Sequence, residues 1–445
     1  MKFPLRAAVA VVVAALFAAS YAIDDPRMRA LIGVPTLIVV AFLFSRDIRA
    51  INRRVVIAGI LMQLSLAVLI LKVDRVRDGF EFAGNVITKG VEYSKAGSWI
   101  FGPLASDKAM DGAFGAKTGI PFLITLTCTV IFVASLFSVL YHLRILQAVV
   151  WVFAKAMVLV MGKKGVSGAE SLSAAANVFM GQTEAPLIVK PYVARMTQSE
   201  LLAIMIGGMA TIAGGVMAIY IDIMNKAGIP NAAMSILATS VMAAPCGLYI
   251  SKILYPETEE PETRGDVTIS NEKPHANVID AAAAGASDGM MLAINIVAML
   301  IAFLALIALA NACIGYFNAS WSLEAFFSYV FAPVAHILGV DTADVPKVAQ
   351  LLGVKLVGNE FLAFDQMTRL FKPGTETGMS TRSYAIATYA LTGFANISSI
   401  GIQIGGIGAM AKERRGDLAR LGFRALLGGF LATLVNAAVA GVLMP

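Results

Sequence analysis

Only 14% of the 445 residues are Asp, Glu, Lys or Arg, against about 25% in an ordinary soluble domain. With 58% apolar residues and a mean hydropathy of +0.77, the chain has too little polar surface to cover a water-facing exterior. Lipid must be the solvent for much of it, and a soluble globule is excluded. Cysteine is scarce: Cys128, Cys246 and Cys313 lie in apolar stretches without paired spacing, so neither a disulfide framework nor a thiolate metal site is expected. Histidine is equally sparse, and His142, His275 and His336 are too scattered for a metal centre. The sequence has no HExxH, Walker A or GxSxG pattern, which leaves zinc hydrolysis, ATP-driven pumping and serine hydrolase chemistry without support. A net charge of +6 and a pI near 9.1 would suit nucleic acid, but the Lys and Arg residues fall in short clusters between apolar runs, as orientation signals do. No nucleic-acid partner is expected. Trp99, Trp151 and Trp321 read as interfacial anchors.

What the sequence does have is long apolar runs, at about 4–23, 29–46, 53–73, 118–142, 201–224, 234–253, 290–316, 382–410 and 421–444. Each approaches the roughly 20 residues that cross a bilayer as helix. Arg46, Arg49, Arg53 and Arg54 lie between the second and third runs, and Lys412, Arg414, Arg415 and Arg420 between the last two, which places both loops in the cytoplasm. The first run, with Lys2 and Arg6 ahead of it and Ser20-Tyr21-Ala22 at its end, fits either a retained helix or a cleavable secretory signal; its length favours the helix. From Asp74 to Tyr93, Val76, Phe80, Ala83, Ile87 and Val91 recur at helical spacing among charges, predicting an amphipathic helix on the outer surface. The stretch from Pro256 to His275, PETEEPETRGDVTISNEKPH, reads as a flexible cytoplasmic linker between two halves.

Two segments, 165–192 and 345–372, are apolar enough to enter the membrane yet are interrupted by Gly, Asn, Glu or Pro. Non-helical backbone at that depth must be buried in protein or line a wet cavity, so both are expected to be re-entrant hairpins. Each is followed by a Gly-interrupted run and then an ordinary one, and the orientations make the two halves inverted. The expected fold is therefore an all-α integral membrane protein, an inverted-repeat secondary transporter with two re-entrant helical hairpins and broken membrane helices.

Polar residues inside these segments carry the chemistry. A carboxylate in mid-membrane costs about 2.5–3.5 kcal/mol on insertion scales and is seldom kept without a partner. Glu184, in GQTEAPLIVKPY, and Glu360, in GNEFLAF, occupy matching places in the two hairpins. One such glutamate could be an internal ion-pair partner; two in matching positions are hard to explain that way. Gln182 and Thr183 beside the first, and Asn359 beside the second, add hydrogen-bonding groups suited to a polar, ring-shaped solute. The broken runs contribute GGMATIAGG, with Thr211, and TGFANISSIG, with Phe394, Asn396, Ser398 and Ser399. Gly-rich membrane helices also serve close packing, so the first of these runs supports binding and packing equally. Asp288 and Asn295 suit helix–helix hydrogen bonding more than a site. Asn177 and Thr211 offer side-chain oxygens at the first hairpin and at the first helix break, as a sodium site beside unwound backbone needs.

With SAAANVFMGQTEAPLIVKPY, ATIAGG, NVIDAAAAGASDG, KLVGNEFLAF and GFANISSIG in order, the sequence resembles the concentrative nucleoside transporters from about residue 29 to the C-terminus. That resemblance implies a homotrimer in which a scaffold holds a mobile transport domain. It implies that Gln182, Thr183, Glu184 and Val216 face the nucleobase, and that Glu360, Asn396 and Ser399, with Phe394 nearby, face the ribose. It also implies backbone carbonyls of Met180 and Ile212 joining Asn177 and Thr211 around Na+. Lys190, where many relatives have Arg, and Met180 depart from the usual pattern.

The expected division is 1–28 as an extra N-terminal helix or signal peptide, 29–142 as scaffold helices with the amphipathic helix, and 143–253 as the first hairpin and repeat half. Residues 254–278 form the linker, 279–340 a scaffold helix and connection, and 341–445 the second hairpin and repeat half. The expected activity is non-enzymatic: a cation-coupled nucleoside symporter, with Na+ favoured over H+, importing solutes such as uridine or adenosine by an elevator-like alternating-access movement. It would sit in a cell membrane, the inner membrane of a bacterium. The alternatives are a proton-coupled nucleoside carrier, a carrier of another polar solute such as a nucleobase, and, from other classes, a channel or membrane enzyme.

Overall fold

In the computed structural model, residues 3–115, 120–162, 165–229, 231–265, 275–318, 321–370 and 378–444 are described. Helix α1 (Phe3–Tyr21) packs along α2 (Pro26–Leu43), which opens on Asp25 as N-cap and Pro26 in its first turn. α3 (Arg53–Lys72) starts at an Asn52 cap, and α4 (Asp74–Ser94) is the amphipathic segment. It lies along α3, α6, α11 and α12 with its outer residues exposed. After α5 (Asp107–Phe114) comes α6 (Phe122–His142); the start of the expected run, at 118–119, lies outside the described residues.

α7 (Ile145–Met161) was not among the expected spans. It is strongly apolar, but its 17 residues fall short of the roughly 20 that cross a bilayer as helix. A left-handed Arg144 (φ 63°) and Gly162 (φ 91°) punctuate it at the two ends.

The next elements give the repeat. α8 (Gly168–Ala176) leads through a turn at 177–184 and a short 3-10 segment, Ala185–Val189, to α9 (Lys190–Val193). α10 (Gln198–Ala210) stops, the chain runs extended, and α11 (Gly214–Lys226) resumes; α12 (Ala232–Leu254) is unbroken. α13 (Val278–Phe317) is 40 residues long, and α14 (Leu323–Val330) and α15 (Ala332–Ile337) connect it to the second half. There, α16 (Val345–Val357) and α17 (Glu360–Leu370) form a pair, α18 (Thr381–Leu391) and α19 (Ile397–Met410) a broken helix, and α20 (Arg415–Leu443) an unbroken one. Residues 371–372, the end of the second expected hairpin, lie outside the described residues. Pair, broken helix, unbroken helix thus occurs twice, and no strand is present among the described residues.

Seven helical stretches among the described residues are long and apolar enough to cross a membrane, α10 and α11 counting together as one, and the chain is a multi-pass membrane protein. Of the nine expected runs, 4–23 and 382–410 fall short. The first gives a short helix, and the second is cut into 11 and 14 residues by its break.

Lipid tails are as apolar as leucine, so small residues that let backbones approach hold such helices together. On α13, Gly285 and Gly289 lie so close to α6 that an added Cβ would come 2.7 Å from Ala134 O and from Ile131 Cα respectively. On α20, Gly428 and Gly429 receive Ile206 and Met209 of α10 in the same way. α10, α12 and α20 pack mutually, with α2 against α20 and α3 against α12.

The linker is not flexible along its whole length. Residues 255–265 fold back onto the start of the first helix pair; residues 266–274 lie outside the described residues. The amides of Gly168 and Ala169, left free at the start of α8, donate to Thr263 O (2.8 Å) and Thr263 Oγ1 (3.1 Å). Ser199 donates to Tyr255 O (2.8 Å), Thr197 to Glu257 (2.7 Å), and Arg195 grips Glu262 through two bonds of 2.7 and 3.0 Å. Beneath this strap, buried Lys252 bonds Glu170 at 2.7 Å and Ser199 at 2.9 Å. A polar, proline-containing sequence becomes ordered here because helix ends supply unsatisfied partners for it.

Candidate functional site

The turn of the first helix pair reaches the second repeat half. Gln182, 6% exposed, lies against Gly208 of α10, where an added Cβ would come 2.7 Å from its own. Its Nε2 donates to Ser399 Oγ on α19 at 3.2 Å. Thr183 packs on Gly406 of the same helix and donates to Glu184 Oε1 at 3.0 Å. The Glu184 carboxylate folds back over Gly181, and a Cβ at residue 181 would sit 2.0 Å from its Oε2. A larger residue there would push the carboxylate out of this position. Glu184 keeps solvent-accessible surface where Glu360 is buried, so the two glutamates expected to be equally buried differ in exposure, although protein atoms surround the Glu184 carboxylate. Asn295 is exposed on α13, and Lys190 is exposed at the start of α9.

Glu360 is buried, at 6% exposure, as the first residue of α17. It accepts from Tyr220 Oη (2.9 Å) and from Asn396 Nδ2 (2.7 Å). Asn396 in turn caps α19, its Oδ1 accepting from the Ser399 amide (2.9 Å) and from Ser398 Oγ (2.6 Å). The cap fixes the amide so that its NH2 turns toward the carboxylate. Asn359 does the same for the second pair, its Oδ1 accepting from Leu362 N at 2.8 Å. Val216, 2% exposed, stands one turn before Tyr220 and so on the same face of α11; Phe394 is half-buried in the second break.

The two helix breaks meet. Phe394 N donates to Thr211 O at 3.2 Å, and Gly393 (φ +123°) passes so near α10 that a Cβ would come 2.9 Å from the carbonyls of Met209 and Ala210. At the first break, Thr211 is buried and donates to Gly207 O at 2.9 Å, keeping its lone pairs free. Asn177 is fully buried against Gly207; its Nδ2 donates to Ser173 O at 2.9 Å, while its Oδ1 has no hydrogen-bond partner. A buried carbonyl oxygen without a donor, beside unwound backbone, suits a hard cation such as Na+. Met180, half-buried, lies on the same turn as Asn177, and Ile212, fully buried, follows Thr211 in the break. The glycines 207 and 208 thus serve packing, and through it the site.

Three residues escaped the sequence reading. Tyr220 holds Glu360, Gln403 of α19 is fully buried and donates to Met205 O at 2.9 Å, and Lys355 lies fully buried in α16. A mid-helix polar residue facing inward was the available signal in each case, but periodicity alone does not say which face turns inward.

Comparison with known proteins shows the family. The family models for the Na+ dependent nucleoside transporter N-terminus (residues 32–104), nucleoside recognition (123–227) and the Na+ dependent nucleoside transporter C-terminus (235–441) match along the chain. An uncharacterized transporter of Haemophilus influenzae is 40% identical over 422 residues, covering 93% of this chain and 97% of that protein. Sodium/nucleoside cotransporter 1 of Mus musculus is 38% identical over 428 residues, covering 92% of this chain and 63% of the longer mouse protein. Among solved structures, CNTnw in an inward-facing substrate-bound state matches with a TM-score of 0.86 at 40% identity, covering 94% of this chain and 99% of that one. An outward-facing form of CNTnw matches with the same TM-score at 39% identity, covering 94% and 98%. The chain belongs to the concentrative nucleoside transporter family, whose members are membrane carriers and not enzymes.

Proposed function

We propose that this protein imports nucleosides across a bacterial inner membrane by Na+-coupled symport. The observation that carries the reading is the junction of the two repeat halves, where Gln182 meets Ser399 and Asn396 meets Glu360. Hydroxyls, amides and carboxylates converge there beside two unwound helices, which suits a neutral solute with many hydrogen-bonding edges and disfavours an anionic nucleotide. In this reading Gln182, Thr183, Glu184 and Val216 contact the base, and Glu360, Asn396 and Ser399, with Phe394, contact the ribose. Asn177 and Thr211, with the carbonyls of Met180 and Ile212, would hold Na+. When bound, the ion would supply positive charge to the carbonyl end of α10 and tie the turn at 177–184 to the break.

Transport would follow an elevator-like path, the two helix pairs acting as re-entrant gates. The moving unit would comprise residues 143–253 and 341–445, and α6 with α13, which pack tightly on each other, would belong to the scaffold. Along α13, Ile301, Leu306 and Leu309 are 67%, 57% and 61% exposed, an apolar surface for lipid or for the neighbours of a homotrimer. α1 would be a retained helix, since Tyr21 stacks on His336 at 4.3 Å and Arg6 bonds Ser45 O at 2.8 Å.

The deciding experiment is uptake of labelled uridine into proteoliposomes, with an imposed Na+ gradient at constant pH or a pH gradient in sodium-free buffer. Accumulation with Na+ alone is expected, as intact nucleoside and competed by adenosine. Accumulation only under the pH gradient would move the coupling to a proton, and competition by free nucleobase alone would change the substrate.

A further inference from the structure

Lys355 is fully buried in α16 and is not among the residues assigned above to substrate or ion. Its Nζ donates to Ala390 O at 2.7 Å and to Thr433 Oγ1 at 3.1 Å, and it lies 5.5 Å from the centre of the Phe430 ring. Glu360 is within electrostatic reach. Ala390 belongs to the last turn of α18, whose carbonyls have no following turn to bond them and which carries the negative end of the helix dipole.

The first repeat has a counterpart of this place. α10 ends at Ala210 as α18 ends at Leu391, and a threonine follows each. Thr211 donates back to Gly207 O at 2.9 Å, and Thr392 donates back to Thr388 O at 2.7 Å. In each repeat a polar side chain from the preceding helix pair is applied to the half-helix that ends there: Asn177 lies against α10, and Lys355 bonds α18. The difference is charge. Asn177 is neutral and keeps an unpartnered Oδ1, whereas Lys355 brings an ammonium and is hydrogen-bonded.

We infer that the Lys355 ammonium is a tethered cation, standing in the second repeat where the first repeat takes Na+ from solution. The inference rests on the sodium reading above for its symmetry. Lys355 is then a positioning residue. It caps the carbonyl end of α18, fixes the start of the break that carries Phe394 and Asn396, and balances Glu360 without a second ion. A lysine would be retained at full burial for that reason: a neutral side chain would leave the helix end and the carboxylate facing each other uncompensated.

The test is made on purified full-length protein in detergent. Uridine affinity is read by calorimetry in saturating Na+, and Na+ binding by the sodium-dependent rise in melting temperature. Lys355→Ala and Lys355→Gln are expected to keep the sodium-dependent rise and to lose more than about tenfold in uridine affinity. Propylammonium, which replaces the missing chain and charge, should restore binding to Lys355→Ala, and 1-propanol should not. Should Lys355→Ala fail to give monodisperse protein, Lys355→Gln decides by its affinity. Wild-type affinity in either folded variant, or equal rescue by 1-propanol, overturns the inference. Asn177→Ala provides the separate control: if it leaves the sodium-dependent rise intact, the sodium reading fails, while propylammonium rescue still tests Lys355.

Discussion

Replacing Glu360 by Gln is the most direct perturbation of the site, because it keeps volume and removes charge. In the structure this carboxylate gathers Tyr220 Oη at 2.9 Å and Asn396 Nδ2 at 2.7 Å, so both oxygens are engaged and fixed before any solute arrives. A hydrogen bond to a charged group is worth about 1.5–3 kcal/mol, which converts to roughly a tenfold to 160-fold loss of affinity if one ribose hydroxyl loses its charged acceptor. The amide also cannot accept on its NH2 side, so the network is kept only if Tyr220 stops donating and accepts from that NH2 instead. Tyr220→Phe removes one donor and leaves the charge, and its effect should be smaller, about 1 kcal/mol or roughly fivefold. The double variant should fall short of the sum, since both changes act on one carboxylate. Calorimetric titration with uridine in saturating Na+ measures all three. Binding by Glu360→Gln within about threefold of wild type would refute the assignment, as would strict additivity with Tyr220→Phe.

Gln182→Ala is expected to change the ranking of nucleosides in competition assays, whereas Asn396→Ala should weaken all of them alike; the reverse pattern would exchange the base and sugar sides. Gly393→Ala should destabilise the fold by about 1–3 kcal/mol, since φ is +123° and the new Cβ would meet two carbonyls at 2.9 Å. Gly401→Ala on α19 meets nothing within 4 Å and should be neutral or stabilising; equal melting temperatures for the two variants would count against the crossing of the breaks. Asp344, in the turn before α16, gives a pH prediction. Burial pushes its carboxyl up, but hydrogen bonds from the Ser380 amide, Lys347 and Ser383 outweigh that and hold it below the ordinary 3.8. It therefore contributes stability above that value and loses it as pH falls through the lower folded pKa, so melting of the wild type should decline more steeply in acid than that of Asp344→Asn.

Apolar runs, the interruptions at Glu184 and Glu360, and the Gly-rich breaks were legible in the sequence because lipid imposes a strong composition rule on any backbone within it. The same rule made the repeat readable: the order of pair, broken helix and unbroken helix follows from where polar residues interrupt apolar ones. The sequence reading did not resolve α7, whose apolar run is only 17 residues long, or the strap at 255–265, whose order depends on free amides at the start of α8. Nor does sequence distinguish a glutamate folded over Gly181 and solvent-accessible from one closed in by Tyr220 and Asn396, because both are single acids between apolar neighbours. Lys355 makes the limit plainest. Its ammonium joins residues 35 and 78 positions away, on α18 and α20. Only the packing of α16 with α18 and α20 inside the second repeat half brings those groups within hydrogen-bonding distance, since their separation along the chain is set by the lengths of helices that cross the membrane and return.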